Sequence, residues 1–156
     1  MPSTAVSFES TQFDRIFPFF LLISQNLVVE SNGKTIEKLF PGIIGRPFFE
    51  NFLIKRPELS VLDFNSLQSL TNQMVVIECR NLRKTTLRGQ LEHLTASNQI
   101  LFIGSPWFGS MEQVIENNLR LDDFAYHDPM IDLLHVLKTQ EITTDELKKL
   151  LQTINN

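Results

Sequence analysis

The stretch from Met74 to Ser105 reads MVVIECRNLRKTTLRGQLEHLTASNQILFIGS and contains three apolar segments separated by short polar breaks. Residues 74–80 are rich in β-branched side chains and too few for a typical helix, residues 86–94 alternate between apolar and polar positions, and residues 99–105 are apolar again. Each pattern is typical of a β-strand. Because the connections are too short for a parallel crossover, they predict an antiparallel meander of three strands, one face of which the rest of the chain must cover.

The composition indicates a globular domain. The 156 residues are 42% apolar and 21% charged, and the formal net charge is −4, with Lys and Arg scattered along the sequence. This length and composition are sufficient for one well-packed domain with an appendage and exclude a largely disordered chain. The mild negative charge favours neither a nucleic-acid partner nor an anionic membrane.

The single cysteine, Cys79, excludes an intrachain disulfide and is typical of a reducing compartment. Its place in the first strand of the meander predicts a small buried side chain rather than a reactive thiol. No apolar run has the length of a membrane span, because Pro18 interrupts the apolar residues near the N-terminus, and no signal peptide is evident. The sequence therefore predicts a cytoplasmic protein.

A short amphipathic helix is predicted at residues 10–17, after a loosely ordered segment of residues 1–9. Phe13, Ile16 and Phe17 recur at helical spacing in it. This apolar strip is either a lid packed on the domain's own core or a contribution to a dimer, and periodicity supports the two alternatives equally.

Two short strands and three short helices are predicted between this helix and the meander. The strands are residues 19–24 and 27–31, and Gln25-Asn26 between them favours a tight hairpin. The predicted helices, each bounded by a cap or a proline, are residues 35–40, 47–53 and 63–71. The predicted order is two strands, helices and then the meander, which makes five strands.

The residues after the meander predict helices that reach the end of the chain. A capping-box pattern begins at Ser110, Asp128 precedes a proline that suits a first helical turn, and a second capping box occupies residues 143–146. An apolar seam follows, formed by Leu147, Leu150, Leu151 and Ile154. Because little of its own domain is left to cover this seam, it predicts a two-helix coiled coil that continues into another module.

The sequence predicts no catalytic site, no metal site and no cofactor. It has no phosphate-binding glycine loop, paired-histidine metal motif or nucleophile elbow. His93, His127 and His135 lack ligand-like spacing, so each is expected to be a hydrogen-bonded structural residue. Asp128 is interpreted as a helix cap rather than as the partner of His127 in an acid–base dyad.

The aromatic residues are expected to fill the interior. The 13 phenylalanines form stripes with helical or strand period, which is typical of core packing. Trp107 and Phe108, beside Pro106, could line the mouth of a ligand site, but packing in the core is the favoured interpretation.

The order of these elements and a series of short sequence pieces resemble the heme-nitric-oxide-binding-associated domain, H-NOXA. This PAS-like domain lies between the heme domain and the coiled coil in soluble guanylate cyclases and also occurs in bacterial histidine kinases. The pieces run from about Phe13 to the final helix and are Phe17-Pro18-Phe19, Leu27-Val28-Val29, Gly33, Phe40-Pro41, Leu87-Arg88-Gly89-Gln90-Leu91, Ile100-Leu101-Phe102, Ser105-Pro106 and His127-Asp128. The chain departs from the cyclase pattern at Phe20, where cyclases tend to have histidine, and at Ser24, where they have aspartate.

The resemblance implies an α+β, PAS-like fold. Residues 10–126 would form a five-stranded antiparallel sheet with flanking helices, and residues 127–156 a C-terminal helical extension that leads towards a coiled coil. The resemblance also implies a role in pairing subunits and passing a signal, without catalysis and without a heme of its own. An upstream heme-NO sensor domain or protein and a downstream kinase or cyclase domain are the implied partners.

The leading hypothesis is a homodimeric signal-relay module of a histidine kinase in a two-component signal transduction system, so the full-length protein is expected to be a histidine kinase. The alternatives are the same module from a guanylate cyclase and a small-ligand sensor with its pocket between sheet and helices. The residues predicted to form the dimer interface are Phe13, Ile16, Phe17 and Phe19. Those predicted to carry the signal into the coiled coil are Leu147, Leu150, Leu151 and Ile154.

Overall fold

The computed structural model describes residues 5–155, except for the side chain of Asn155. The expectations for residues 1–4 and for Asn156 lie outside this range. In chain order the elements are helix α1 (Ser10–Ile16), strands β1 (Phe20–Ile23) and β2 (Val29–Asn32), helices α2 (Lys34–Leu39) and α3 (Phe48–Asn51), strand β3 (Phe52–Arg56), helix α4 (Phe64–Gln68), strands β4 (Val75–Cys79), β5 (Thr86–Leu94) and β6 (Gln99–Pro106), helix α5 (Met111–Glu116), a 3₁₀ helix (Leu121–Asp123) and helix α6 (Pro129–Asn155). This is an α+β fold with an antiparallel sheet and flanking helices, as predicted.

The three strands of the predicted meander are confirmed and lie side by side. β4 pairs with β5 from Val75 opposite Gly89 to Glu78 opposite Thr86, and β5 pairs with β6 along eight residue pairs. Both pairings are antiparallel. The turn between β5 and β6 contains Asn98 at a φ of 51°, a left-handed conformation that asparagine tolerates better than most residues.

Within residues 5–155 the sheet has six strands in the order β2-β1-β6-β5-β4-β3, one more than the predicted five. The additional strand is β3, which pairs with β4. The apolar spacing of Phe52 and Leu53 predicts a helix, which is wrong, because α3 ends after one turn at Asn51. In β3, Phe52 is buried and Leu53 is exposed. Pairing with β4 therefore prevails over a helical pattern that is too short to be stable by itself.

β1 and β2 form the predicted hairpin, but its turn is longer than the predicted two residues. β1 ends at Ile23 and β2 begins at Val29, and the residue with left-handed backbone is Leu27, at a φ of 62°, rather than Asn26. The Leu27 carbonyl accepts a hydrogen bond from the Phe48 amide at 2.7 Å. Contact with α3 therefore holds a backbone conformation that leucine alone disfavours.

The core lies on one face of the sheet, which we call the inner face. The register places Leu21 of β1, Phe102 of β6 and Leu91 of β5 side by side on it, and all three are fully buried. Helices α2, α3 and α4 add buried side chains to the same cluster, among them Ile36, Phe48 and Leu67. Side chains therefore fill the space in which the small-ligand alternative places its pocket.

Helix α6 starts where Asp128 predicts it. The Asp128 carboxylate accepts a hydrogen bond from the Met130 amide at 2.9 Å, so the predicted cap is confirmed. The second predicted helix start, at residues 143–146, is wrong, because α6 continues through it and the Thr143 hydroxyl donates to the Thr139 carbonyl at 3.0 Å. Extending an existing helix requires less ordering than starting a new one, which favours the uninterrupted helix.

The first part of α6 packs on the domain and the rest does not. Met130 and Leu134 are buried in the core cluster with Val114 of α5, whereas residues 138–154 are exposed. Between residues 5 and 155, no helix combines the length and the apolar composition needed to cross a membrane. α6 therefore leaves the domain as a free, exposed helix.

Candidate functional site: dimer and relay surfaces

α1 lies against the outer face of the sheet, opposite the core. The Phe13 ring meets the Phe20 ring of β1 edge-on, with 4.8 Å between the centroids, and lies 5.1 Å from the Phe17 ring. Phe20 alternates with the inner residue Leu21, which places it on the outer face. No side chain of α1 is fully buried, and Phe13, Ile16 and Phe17 are half-buried. α1 therefore covers part of the domain but leaves an apolar strip partly open.

The outer face beside α1 is also apolar. Leu22 of β1 lies opposite Leu101 of β6, Phe20 lies opposite Ile103, and all but Phe20 are only half-buried. Of the outer residues of the next strand, β5, Arg88, Gln90 and Glu92 are polar and exposed, and Gln90 lies opposite Ile103. The continuous apolar surface beside α1 therefore lies on α1, β1 and β6. We call it the α1 face, and it consists of Phe13, Ile16, Phe17, Leu22, Leu101 and Ile103.

Of the four residues predicted to form the dimer interface, three lie on the α1 face and Phe19 lies in the core. Phe19 is 1% exposed, and its ring centroid lies 5.4 Å from that of Phe124. The alternation that turns Phe20 outward turns Phe19 inward. The same alternation identifies Leu22 as an outer residue, which the prediction omitted together with the outer residues of β6.

A polar group on α1 is buried without a partner. Within residues 5–155, the Oδ1 atom of Asp14 is shielded from solvent and accepts no hydrogen bond. A buried carboxylate oxygen without a donor destabilises the fold, because it loses its water and gains nothing in exchange. A donor brought to this helix by a second molecule would remove that cost.

The start of α6 is hydrogen-bonded to both α1 and the sheet. The ring Nε2–H of His127 donates to the Ile16 carbonyl at the end of α1, with 2.8 Å between the atoms, and the ring packs edge-on to Phe17. The Ser105 hydroxyl of β6 donates to the Asp128 carboxylate at 2.5 Å. His127 and Asp128 thus bind different elements, which agrees with structural roles rather than a dyad. We call these two hydrogen bonds the junction.

The predicted apolar seam lies near the end of α6 and is exposed to solvent. Its members are each more than half exposed, and they are Leu147, Leu150, Leu151 and Ile154. Leu147, Leu150 and Ile154 are spaced three and four residues apart, as the core positions of a coiled coil are. The seam therefore presents an apolar stripe that the domain itself does not cover.

The remaining histidines serve structural roles or lie on the surface. The His93 ring nitrogens lie 2.7 Å from Asn98 Oδ1 and 3.5 Å from Gln68 Nε2, and His135 is exposed on α6. In the part of the chain from residue 5 to residue 155, no group of three His, Cys, Asp or Glu side chains is placed to hold a metal ion.

Trp107 does not pack in the core. It is 57% exposed, whereas its neighbour Phe108 is 4% exposed, so the prediction of core packing is right for Phe108 and wrong for Trp107. The Trp107 amide donates to the Thr86 carbonyl at 3.1 Å and so extends the β5–β6 ladder by one residue. Strand alternation beyond the buried Pro106 then turns the indole towards solvent.

Cys79 is fully buried, as predicted, and we expect its thiol to be unreactive in the folded protein. Burial, and secondarily the charge of Glu78, raise the pKa of this thiol to about 12. Because the thiolate is the reactive form, Ellman's reagent at mildly alkaline pH should react with the chain only after denaturant is added. Rapid labelling of the folded protein would contradict the burial of this strand.

The sequence matches the family model described as heme NO binding associated, over residues 6–85 and 79–156. The two overlapping matches include the whole sheet, the α1 face, the junction and α6. The fold and this match define an H-NOXA domain. The chain belongs to the heme NO binding associated family, as the resemblance predicts.

Curated relatives match most of the chain. Guanylate cyclase soluble subunit alpha-1 of Rattus norvegicus is 29% identical over 159 residues, which cover 95% of this chain and 23% of the relative. Guanylate cyclase soluble subunit beta-2 of the same species is 29% identical over 150 residues, covering 89% and 22%. The Head-specific guanylate cyclase of Drosophila melanogaster is 24% identical over 158 residues, covering 94% and 23%. The chain therefore spans less than a quarter of the length of these relatives.

The expectation that the full-length protein is a histidine kinase of a two-component system is wrong. The relatives that match 89% or more of this chain are guanylate cyclases. The two departures from the cyclase pattern are local packing positions: Phe20 contacts Phe13, and the Ser24 hydroxyl accepts a hydrogen bond from the Val28 amide at 3.2 Å. Residues with such local roles do not report which output domain follows.

Proposed function

We propose that this chain is the dimerisation and signal-relay module of a guanylate cyclase. The family match and the relatives named as guanylate cyclase subunits support the proposal. The observation that carries it is the junction, because His127 and Asp128 connect the α1 face directly to the free helix α6. A change in how α1 is packed therefore has a short covalent and hydrogen-bonded route to the output helix.

The proposed partner is a second H-NOXA domain, which is an identical copy when the chain is alone. Phe13, Ile16 and Phe17 are half-buried in the monomer, and pairing through the α1 face would remove them from water. The polar outer residues of β5 then form the rim of the contact, as in other interfaces.

The proposed relay runs from the α1 face through the junction into the seam. An upstream heme-NO sensor would favour one of two packings of the dimer, and α6 would carry the difference to a downstream cyclase domain. In the dimer the seam pairs with the same helix of the second chain. The seam residues are Leu147, Leu150, Leu151 and Ile154.

The proposed module consists of a body, residues 10–126, and a helical extension, residues 127–156, whose first turns pack on the body. It carries neither the heme nor the catalytic site. We place it in the cytoplasm, and the names of the rat relatives, which include the word soluble, support this placement.

Phe13→Glu should convert a dimer into a monomer. A charge in the middle of the α1 face leaves an unpaired carboxylate in the contact, which should weaken association by about 2 kcal/mol or more, roughly 30-fold in the dissociation constant. Sedimentation velocity over a range of protein concentrations measures this change.

The matched control is Thr11→Glu, which adds the same charge to an exposed position of the same helix. It should leave the dimer intact, and far-UV circular dichroism should show that both variants are folded. Leu150→Glu tests the seam separately. A wild-type chain that sediments as a monomer at high concentration, or a Phe13→Glu variant that dimerises like the wild type, would refute the proposed interface.

A further inference from the structure

The loop between β4 and β5 concentrates positive charge in a chain that is negative overall. Arg80, Arg83 and Lys84 lie within five residues, and no acidic residue occurs between Glu78 and Glu92, although the formal net charge is −4. All three cations are exposed, and among the described residues none of them takes part in an ion pair. The overall scatter of Lys and Arg thus conceals one local cluster. We call this five-residue segment the basic loop.

Exposed apolar side chains accompany these charges. Leu82, in the middle of the basic loop, is fully exposed, and Trp107 is 57% exposed. Between the basic loop and Trp107 lies a notch of about 210 Å³, which Arg83, Lys84 and Gln113 of α5 help to line. This volume is below that of sites for drug-sized ligands. Most of the lining is polar, so the apolar contact that this surface offers is the exposed indole of Trp107 at its edge.

Partly buried hydrogen bonds hold the basic loop in place. Asn81 Nδ2 donates to the Leu39 carbonyl at the end of α2, at 3.3 Å, and Asn81 Oδ1 accepts from the Thr85 amide, also at 3.3 Å. Thr85 is 4% exposed, and its hydroxyl donates to Asn117 Oδ1 at the end of α5. Lys84 has a left-handed backbone, with a φ of 50°. The network thus presents the cations and Leu82 on an ordered turn, which lowers the entropy lost on binding.

We propose that the basic loop and the exposed Trp107 form a docking surface for an acidic protein segment that carries one large apolar side chain. The three free cations complement carboxylates and orient such a segment. The apolar side chain of the segment packs on the exposed indole of Trp107, and Leu82 offers a second exposed apolar contact from the loop. This surface is separate from the α1 face, so the inference does not depend on the proposed dimer.

The geometry and the charges favour a protein over a lipid surface or a nucleic acid. Three cations are fewer than the roughly 4–8 that typical lipid-binding patches carry, and a flat headgroup surface presents no side chain to pack on Trp107. The formal net charge of −4 opposes a long polyanion such as a nucleic acid, whereas a short acidic segment meets only the local cluster of cations.

The direct test uses three synthetic peptides, each with a fluorescent label. The first is a peptide of Glu and Gly with one central Phe, the second has Ala in place of Phe, and the third has Lys in place of Glu. In fluorescence anisotropy the first peptide should bind the chain, the second should bind about tenfold more weakly, and the third should not bind. Added salt should weaken the binding of the first peptide, because the attraction is between exposed charges.

Variants then locate the binding. R83E/K84E should weaken binding of the first peptide about tenfold or more, which is a change of ~1.4 kcal/mol in binding free energy. K148E/K149E is the matched control, because it reverses an adjacent, exposed pair of lysines on α6, and it should leave affinity unchanged. Leu82→Ala should weaken binding about threefold, and because Leu82 is fully exposed this variant should not disturb folding.

Four outcomes would overturn the proposal. They are no binding of the first peptide, equal binding of the first and second peptides, equal losses in R83E/K84E and K148E/K149E, and binding of phosphatidylserine vesicles that exceeds peptide binding and is abolished by R83E/K84E. The second and third outcomes would indicate unspecific charge attraction, and the fourth would assign the loop to lipid. Far-UV circular dichroism of each variant confirms that a lost affinity is not a lost fold.

Discussion

Gly89→Ala is expected to prevent stable folding of the domain. A Cβ atom at this position would lie 2.0 Å from the Ile103 carbonyl oxygen and 2.6 Å from the Gly104 Cα atom. Both are backbone atoms of β6, which β1 holds in place from its other side, so β5 and β6 would have to separate. We expect a loss of about 4 kcal/mol or more, a large share of the roughly 5–15 kcal/mol that stabilises a typical domain.

Urea denaturation followed by circular dichroism measures the loss, or shows that Gly89→Ala is unfolded in buffer. Gly109→Ala is the matched control, because an added Cβ would meet its nearest heavy atom, Gln113 Oε1, only at 3.7 Å. That control should change stability by no more than about 0.5 kcal/mol. Equal unfolding midpoints for the two variants would contradict the close approach of β5 and β6.

Phe102→Ala is expected to destabilise the fold by about 3–5 kcal/mol, because it removes a large side chain and leaves a cavity. Phe102 is fully buried on the inner face, between Leu21 and Leu91. Since Leu22 and Leu101 lie on the other side of the sheet, Phe102→Ala should leave the α1 face intact. In a variant that still folds, the dimer should dissociate at a concentration close to that of the wild type.

Leu101→Ala serves as the comparison. It should weaken dimerisation more than folding, which is the reverse of the result expected for Phe102→Ala. Leu101 is half-buried on the α1 face, so its truncation should reduce folding stability by only about 1 kcal/mol. It should weaken dimerisation about tenfold, because the contact loses an apolar side chain. Urea unfolding and sedimentation velocity on both variants separate the two effects. If both residues affected both properties alike, the division into an inner face and the α1 face would be wrong.

Features that depend on local sequence could be predicted. The alternation along residues 86–94 identifies β5 because one face of a strand must be buried. Helix caps could also be predicted, because a capping side chain binds a backbone amide only two or three residues further along the chain. Asp63 Oδ1 accepts from the Ser66 amide at 2.7 Å, and Ser110 Oγ accepts from the Gln113 amide at 3.3 Å.

Features that depend on distant residues could not be predicted. Phe52 starts a strand because β4 lies beside it, and β4 begins 23 positions later in the chain, at Val75. The left-handed conformation of Leu27 depends on the Phe48 amide in the same way. The inward orientation of Phe19 follows only once the start of β1 is known.

The output domain could not be predicted from the residues of this module. Its core residues satisfy packing within the domain, and an exposed apolar seam at the end of a helix is compatible with more than one kind of output domain. The distinction between a kinase and a cyclase came from two relatives that match 89% or more of the chain, both of which are named as guanylate cyclase subunits. Departures at Phe20 and Ser24 had little weight beside that, because each side chain packs or hydrogen-bonds within this domain.

In the proposed relay, the junction at one end of the long, unsupported helix α6 would act as a pivot. Residues 138–154 of α6 extend roughly 25 Å beyond the packed turns, at about 1.5 Å per residue. A tilt of about 5° at the pivot would move the far end by roughly 2 Å, similar to the helix shifts of about 1–2 Å that accompany many switching transitions. A rearrangement at the pivot too slight to loosen the core would thus become a larger displacement at the far end of α6.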